Sequence, residues 1–287
     1  MSAAPQLHLT NAASTASERL RCLWIGRYIP HPMNEGAKVY SAKLAASLAS
    51  AGCFVRVLGF GDASRAPGSD DMEWVSVPGS RGRDLSGIVN RLPLAAAVDA
   101  TPAYRALLER QLQAPGFDGQ WDIIVFDCYA SGWALARCEQ FRRGRGTNTV
   151  FVHVSHNEEG AVWASLAEQM SGSSVRRWLV RRNATKVAQL ERRVLAGVDL
   201  FSAITDEDAA SLRRIPNAAR SITLMPGYDG PIAEPREITA STPRRVVIVG
   251  SFNWVVKREN LQRFVEHADS LFAQHGIELV VAGEVPQ

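Results

Sequence analysis

The chain has 287 residues, 46% hydrophobic and 21% charged, with a formal net charge of +3. That length holds one large domain or two ordinary ones, and so small a net charge gives no electrostatic case for a nucleic-acid partner. Cys22, Cys53, Cys128 and Cys138 lie far apart with no metal or redox spacing, so they read as buried free thiols in a reducing compartment.

Residues 1–18 are rich in Ala, Ser and Thr and lack an apolar core, which reads as a loose tail rather than a signal peptide. No stretch approaches the roughly 18 consecutive apolar residues of a membrane span. The expected location is the cytosol, at most on a membrane surface.

Residues 20–60 organise the rest of the chain. They read as a strand (Leu23, Trp24, Ile25), a loop over residues 26–36, a helix to about Ala51 and a strand at 54–58. Apolar runs alternating with an amphipathic helix mark a parallel sheet covered by helices. Ligands of such sheets collect at the carboxyl ends of the strands. Gly36 lets a ligand approach the backbone, and the N–H groups of the helix behind it favour an anion; its other reading is a tight turn. The chain carries no Gly-x-Gly-x-x-Gly in this loop, so a nicotinamide or flavin dinucleotide is not indicated.

Further along, strands are expected at 74–77, 121–126, 149–155, 198–204 and 222–225, and helices near 88–98, 104–112, 131–141, 161–170 and 175–196. Thr205 followed by Asp206, Glu207 and Asp208 is a capped helix start. Glu158 and Glu159 suit the beginning of a helix, where carboxylates complement the dipole. His153 and His156, three apart along a strand, point to opposite faces and make a poor pair of metal ligands. Asp127 ends a strand at the edge where ligands collect; it either caps the next helix or meets an acceptor hydroxyl. Residues 230–243 are rich in proline, glycine and threonine and read as a linker between residues 19–229 and 244–287. Beyond it a βαβ rhythm restarts: a strand at 245–249, a loop at 250–256, then a helix stopped by Gly276 and a strand at 278–282.

The helix expected at 175–196 holds Arg176, Arg177, Arg181, Arg182, Lys186, Arg192 and Arg193 against a single acid, Glu191. Val175, Trp178, Leu179, Val187, Leu190 and Val194 form its apolar side. It is either a surface helix packed on the sheet or a face attracted to anionic lipid.

Four stretches resemble the retaining glycosyltransferases of family 4. They are the loop Asn34-Glu35-Gly36-Ala37, the strand end Val152-His153-Val154-Ser155-His156-Asn157, the hinge-like Leu224-Met225-Pro226-Gly227-Tyr228-Asp229, and Val247-Ile248-Val249-Gly250-Ser251-Phe252-Asn253-Trp254. The resemblance spans about residues 20–287 and departs in places. The first loop has one glycine where two are usual, the hinge lacks its asparagine, and Ser251 stands where an arginine is common.

The resemblance implies an α/β fold of two Rossmann-like domains of the GT-B type, the first complete. Only the first βαβ unit of the second is present, so the glutamate pair that grips the donor in this family would lie beyond Gln287 and the chain reads as an incomplete form. It implies sugar transfer with retention from a nucleotide-diphosphate sugar to a saccharide or lipid-linked acceptor, without a metal or other cofactor. In that picture His156 and Lys257 are catalytic, Gly36, Gly250 and Ser251 face the donor diphosphate, and Asn34 and Asp127 face the acceptor. Read from the residues alone, His156 is equally a core or capping histidine and Lys257 a solvated helix-start lysine. The alternative function is a non-catalytic binding module that uses the amino-terminal domain by itself.

Overall fold

The computed structural model describes residues 19–82, 91–114, 120–170, 173–235, 237–252 and 255–283. The tail expected at 1–18 lies outside them. The elements in chain order are β1 (Arg21–Tyr28), α1 (Gly36–Ser50), β2 (Phe54–Phe60), β3 (Met72–Ser76), α2 (Leu94–Asp99), α3 (Pro102–Gln113), β4 (Ile123–Asp127) and α4 (Leu135–Arg145). They continue with β5 (Val150–Val154), α5 (Glu159–Gln169), α6 (Ser174–Gly197), β6 (Leu200–Ala203), α7 (Asp206–Leu212), β7 (Arg220–Thr223), β8 (Arg245–Val249), α8 (Val255–His275) and β9 (Glu278–Ala282).

β1 to β7 form one parallel sheet in the order β3-β2-β1-β4-β5-β6-β7. Helices cover both faces, so both sides of each central strand are apolar and the sequence shows runs rather than alternation. On one face Leu23, Ile25, Leu58, Tyr104, Phe126 and Phe151 pack with Leu190 and Val194 of α6. On the other, Trp24, Val55, Val57, Val125 and Val154 pack with Tyr40, Ala45 and Ala49 of α1. Tyr104, Phe126, Phe151 and Phe201 are fully buried, each contributing about 1.5–3 kcal/mol from removal of apolar surface.

The chain winds outward from β1 through β2 to β3, then returns to place β4 on the other side of β1. Strand order reverses between β1 and β4. That is the topological switch point, where a crevice opens above the carboxyl ends of the strands.

The second unit is small: β8 and β9 pair in parallel, with Val246 opposite Leu279 and Ile248 opposite Val281, joined by α8. Gly283 must be glycine: its φ is +130°, and a Cβ there would lie 2.0 Å from the Gly250 carbonyl oxygen. Gly276, at φ +59°, stops α8 as the sequence indicates. The apolar stripe of α8 is only half covered, since Phe264, Val265 and Leu271 remain exposed. Among the described residues of this unit only Phe252 and Ala268 are buried hydrophobics, so its packing is far weaker than that of the seven-stranded sheet.

Candidate active site

A cleft of about 1350 Å³ lies between the carboxyl edge of the large sheet and the small unit. Asn34, Gly36, Tyr40 and Lys43 line one wall, and Gly250, Ser251, Lys257 and Gly283 line the other. His156 and Asn157 border it from the sheet, and Met225 to Asp229 close it at the hinge. Six of the seven residues singled out in the sequence therefore share one space.

Asp127 does not line that space. It is buried at the end of β4 with its carboxylate turned inward. One oxygen lies 2.7 Å from His156 Nε2, and the other accepts from Trp24 Nε1 at 3.0 Å. Ser41 adds a further hydrogen bond. The expected contact with an acceptor is corrected to a positioning role, because Asp127 is not among the residues lining the cleft and both its oxygens are engaged. Nor does Asp127 cap a helix: the chain passes into a 3-10 turn at Tyr129–Ala134 with no side-chain cap.

The two groups favour each other's charged forms. Burial would raise the Asp127 carboxyl, but the charge of His156 and the three side-chain hydrogen bonds hold it below the usual carboxylate range. Burial would lower the His156 imidazole, yet the attraction of Asp127 outweighs it and raises it. Tyr40 packs edge-to-face on the imidazole with ring centroids 5.5 Å apart. Asp127 holds Nε2, and when the ring is protonated Nδ1 is its second donor. His153 is different: it is buried, Nδ1 donates to the Phe126 carbonyl at 2.9 Å, and burial lowers it to about 4. It is a neutral core residue.

The next residue, Cys128, has φ 60° and ψ 164°, a conformation almost reserved for glycine. The turn bends the chain directly behind Asp127, and Ser131 secures it with Oγ and N–H donated to the Cys128 carbonyl. All four cysteines are free, with Cys22, Cys53 and Cys138 buried and Cys128 half-buried.

Gly36 is the first residue of α1, its φ is not positive, and a Cβ there would meet nothing within 4 Å. Neither a turn nor packing requires glycine here, which removes the tight-turn reading. Glu35 at the N-cap makes no side-chain cap and the first turn holds no acid, so the N-terminal N–H groups of this 15-residue helix have no capping side chain.

Sequence reasoning missed three features. Trp24 looks like an ordinary core residue of an apolar strand, yet its indole N–H holds Asp127 from 103 positions away. α1 is tied to the hinge by Tyr40, whose hydroxyl donates to the Leu224 carbonyl at 2.7 Å, and by an ion pair of Lys43 with Asp229. Glu191, the lone acid of the basic helix, is buried and accepts from the N–H groups of Glu159 at 2.8 Å and Gly160 at 3.0 Å. It anchors the start of α5 beside His156. The clue was present, as a single carboxylate among seven cations needs a reason.

α6 also corrects the expected apolar side. Val187, Leu190 and Val194 are buried, but Val175 and Trp178 are 65% and 53% exposed. No helix among the described residues is long and apolar enough to cross a membrane.

A model of the glycosyl transferase 4-like domain matches residues 35–227, two thirds of the chain, and covers α1, Asp127, His156 and the first part of the hinge-like stretch. The chain belongs to that family. The transferase is also similar in structure to trehalose-6-phosphate synthase OtsA, with a TM-score of 0.52 and 12% identity over 93% of this chain and 74% of that one. For the glycotransferase of kitacinnamycin the TM-score is 0.50, with 12% identity over 93% and 68% of the two chains. At such identities the likeness shows the fold alone, which is of the GT-B type. No curated protein sequence matches this chain.

Proposed function

We propose that this glycosyltransferase moves a sugar from a nucleotide-diphosphate donor to a saccharide or lipid-linked acceptor with retention of configuration, in polysaccharide or glycolipid synthesis. The observation that carries the reading is the pairing of the cleft's two walls. The uncapped N-terminus of α1 with Gly36 shares the cleft with Gly250, Ser251 and Lys257, and His156, held from behind by Asp127, borders it. Negative charge grows on the departing phosphate as the sugar–phosphate bond breaks, and fixed cations and N–H donors stabilise it most in the transition state.

In this reading Lys257 and the backbone of Gly250 and Ser251 hold the diphosphate, and the imidazolium of His156 donates to the transferred sugar or the leaving phosphate. Asn34 meets the acceptor. The chemistry calls for no metal or other cofactor. Arg176, Arg177, Arg181 and Arg182 would draw the protein to an anionic membrane, suiting a lipid-linked acceptor and a cytoplasmic enzyme at the bilayer surface.

A second reading is favoured by the small size and thin packing of the donor-side unit. In it the amino-terminal domain acts as a binding module without turnover. Incubating the chain with uridine and guanosine diphosphate sugars and saccharide acceptors separates the two. Transfer that falls about a hundredfold in Lys257→Ala and in His156→Ala, at unchanged melting temperature, supports the enzyme. NMR of the product should show the anomeric configuration of the donor; inversion would overturn retention. Acceptor binding without any transfer would favour the module.

A further inference from the structure

We propose that α5 and α6 form an arm that docks the protein on an anionic lipid bilayer, with Trp178 and Val175 entering the interface. This deepens the lipid-linked acceptor part of the reading above and rests on it.

The arm follows from where Glu191 sits. Its carboxylate caps the first turn of α5 at Glu159 and Gly160, directly after β5 ends, so this point of α6 is level with the carboxyl edge of the sheet. Leu190 and Val194 beside it pack on Gly132 of the turn that follows β4, at the same edge. From there α6 descends to Gly197 and feeds the start of β6. The N-terminal part of α6 continues past that edge with α5 against it, while Ala184, Val187 and Leu190 are still buried in the domain. At 1.5 Å per residue the part without a buried residue, Ser174 to Arg182, spans about 13 Å of helix. Asn183, whose Oδ1 accepts from the Leu94 N–H at 2.8 Å, is a contact with the body of the domain along this arm. From Ser174 to Arg182 no residue is buried.

That free segment has the chemistry of a bilayer interface. Val175 and Trp178 are exposed large hydrophobics, three apart and so on one side of the helix. Arg176, Arg177, Arg181 and Arg182 flank them, and no acid occurs between residues 174 and 190. Arg176, Arg177 and Arg181 make no ion pair among the described residues, while the guanidinium of Arg182 lies 5.4 Å from the centroid of the Trp178 ring. A protein kept in bulk water gains nothing by holding an indole and an isopropyl group in solvent at the end of a cationic helix. At a headgroup layer the same groups enter the acyl boundary while the guanidinium groups meet lipid phosphates. The charge complements an anionic surface, and the apolar pair distinguishes a bilayer from a soluble anion, which would use the arginines alone.

The test is flotation of the full chain with mixed phosphatidylglycerol–phosphatidylcholine vesicles and with pure phosphatidylcholine vesicles. Binding is expected to the anionic vesicles only. Trp178→Ser should weaken it roughly tenfold, as for the loss of one apolar anchor, and glutamine at the four arginines should abolish it. Brominated lipid should quench fluorescence in the parent and not in Trp178→Phe, which identifies the inserted ring among the seven tryptophans. These side chains are exposed, so the melting temperature should not move. Equal binding to both vesicle types, a Trp178→Ser variant that floats like the parent, or full displacement by free inorganic phosphate would each overturn the arm. Sugar transfer to a short-chain soluble acceptor separates the two proposals. A protein that transfers sugar but does not float loses the arm and keeps its activity; one that floats without transfer keeps the arm and loses the enzymatic reading.

Discussion

Asp127 and His156 stand 2.7 Å apart, carboxylate to Nε2, at the ends of neighbouring strands and 29 positions apart in the chain. The aspartate favours the charged form of the histidine, against the burial that disfavours it. Asp127→Asn preserves the shape and removes that charge. The raised His156 keeps its proton above the ordinary value of 6.5, so the pair's contribution is full below 6.5 and is lost as pH rises through the raised value. At the acid end it is lost only as pH falls through the depressed value of Asp127. In the asparagine variant the alkaline limb of the kcat profile should move to lower pH and turnover should fall about a hundredfold. An unmoved limb would mean that His156 does not act as a cation.

Gly36→Val tests the close approach of a ligand. With nothing within 4 Å of the added Cβ, the folded protein has room for the side chain and the melting temperature should change little. The isopropyl group would occupy the cleft in front of the α1 N-terminus. A rise in KM of about tenfold is expected, the cost of roughly 1.4 kcal/mol in a displaced ligand. Normal KM would mean that substrate does not approach this helix end.

Glu191 is pushed up to about 7, first by burial and then by the nearby Glu159 and Glu158, while the N–H groups it caps pull the other way. Its folded value lies above the ordinary 4.5, so folding loses stability as pH rises from about 4.5 to about 7. His153 works in the opposite direction over an overlapping range: lowered to about 4, it costs stability as pH falls below 6.5. Only the difference between the parent and Glu191→Gln isolates the glutamate. Denaturant melts across this range should show that difference shifting in favour of the variant as pH rises. A difference independent of pH would contradict the buried, proton-binding carboxyl.

Cys128→Gly should be more stable than Cys128→Ala by about 1 kcal/mol. The φ of 60° with ψ of 164° costs a side-chain-bearing residue about 1–3 kcal/mol, against about 0.5–1 kcal/mol of extra unfolded-state entropy for glycine. Both variants lose the same thiol, so their difference reads the backbone alone. Equal melting temperatures would show that the turn behind Asp127 relaxes without strain.

The alternation of strands and helices was written in the residues. Runs such as residues 121–126 and 149–155 are apolar because both faces of the sheet are covered, and a parallel sheet places its ligands at the carboxyl ends. That logic brought Asn34, Gly36, His156, Gly250, Ser251 and Lys257 to one cleft, since each follows a strand or opens a helix. Local sequence also carried the stop at Gly276 and the cap at Thr205, whose side chain accepts from the Asp208 N–H. What it lacked was direction across the sheet. Whether Asp127 looks outward to an acceptor or inward to His156 depends on β4 lying between β1 and β5, a pairing of segments about a hundred and about thirty positions apart. The same holds for Trp24, an indole among aliphatic neighbours until β4 is beside it, and for Glu191, which meets α5 only because α6 turns back along it. On α6, periodicity placed Val175 and Trp178 on the same side as Leu190, and only the tertiary structure decided that this side is buried at Val187, Leu190 and Val194 and ends in solvent at Val175 and Trp178. Helical spacing fixes which residues share a face; the body the helix packs against, and how far it reaches, fixes where that face is covered.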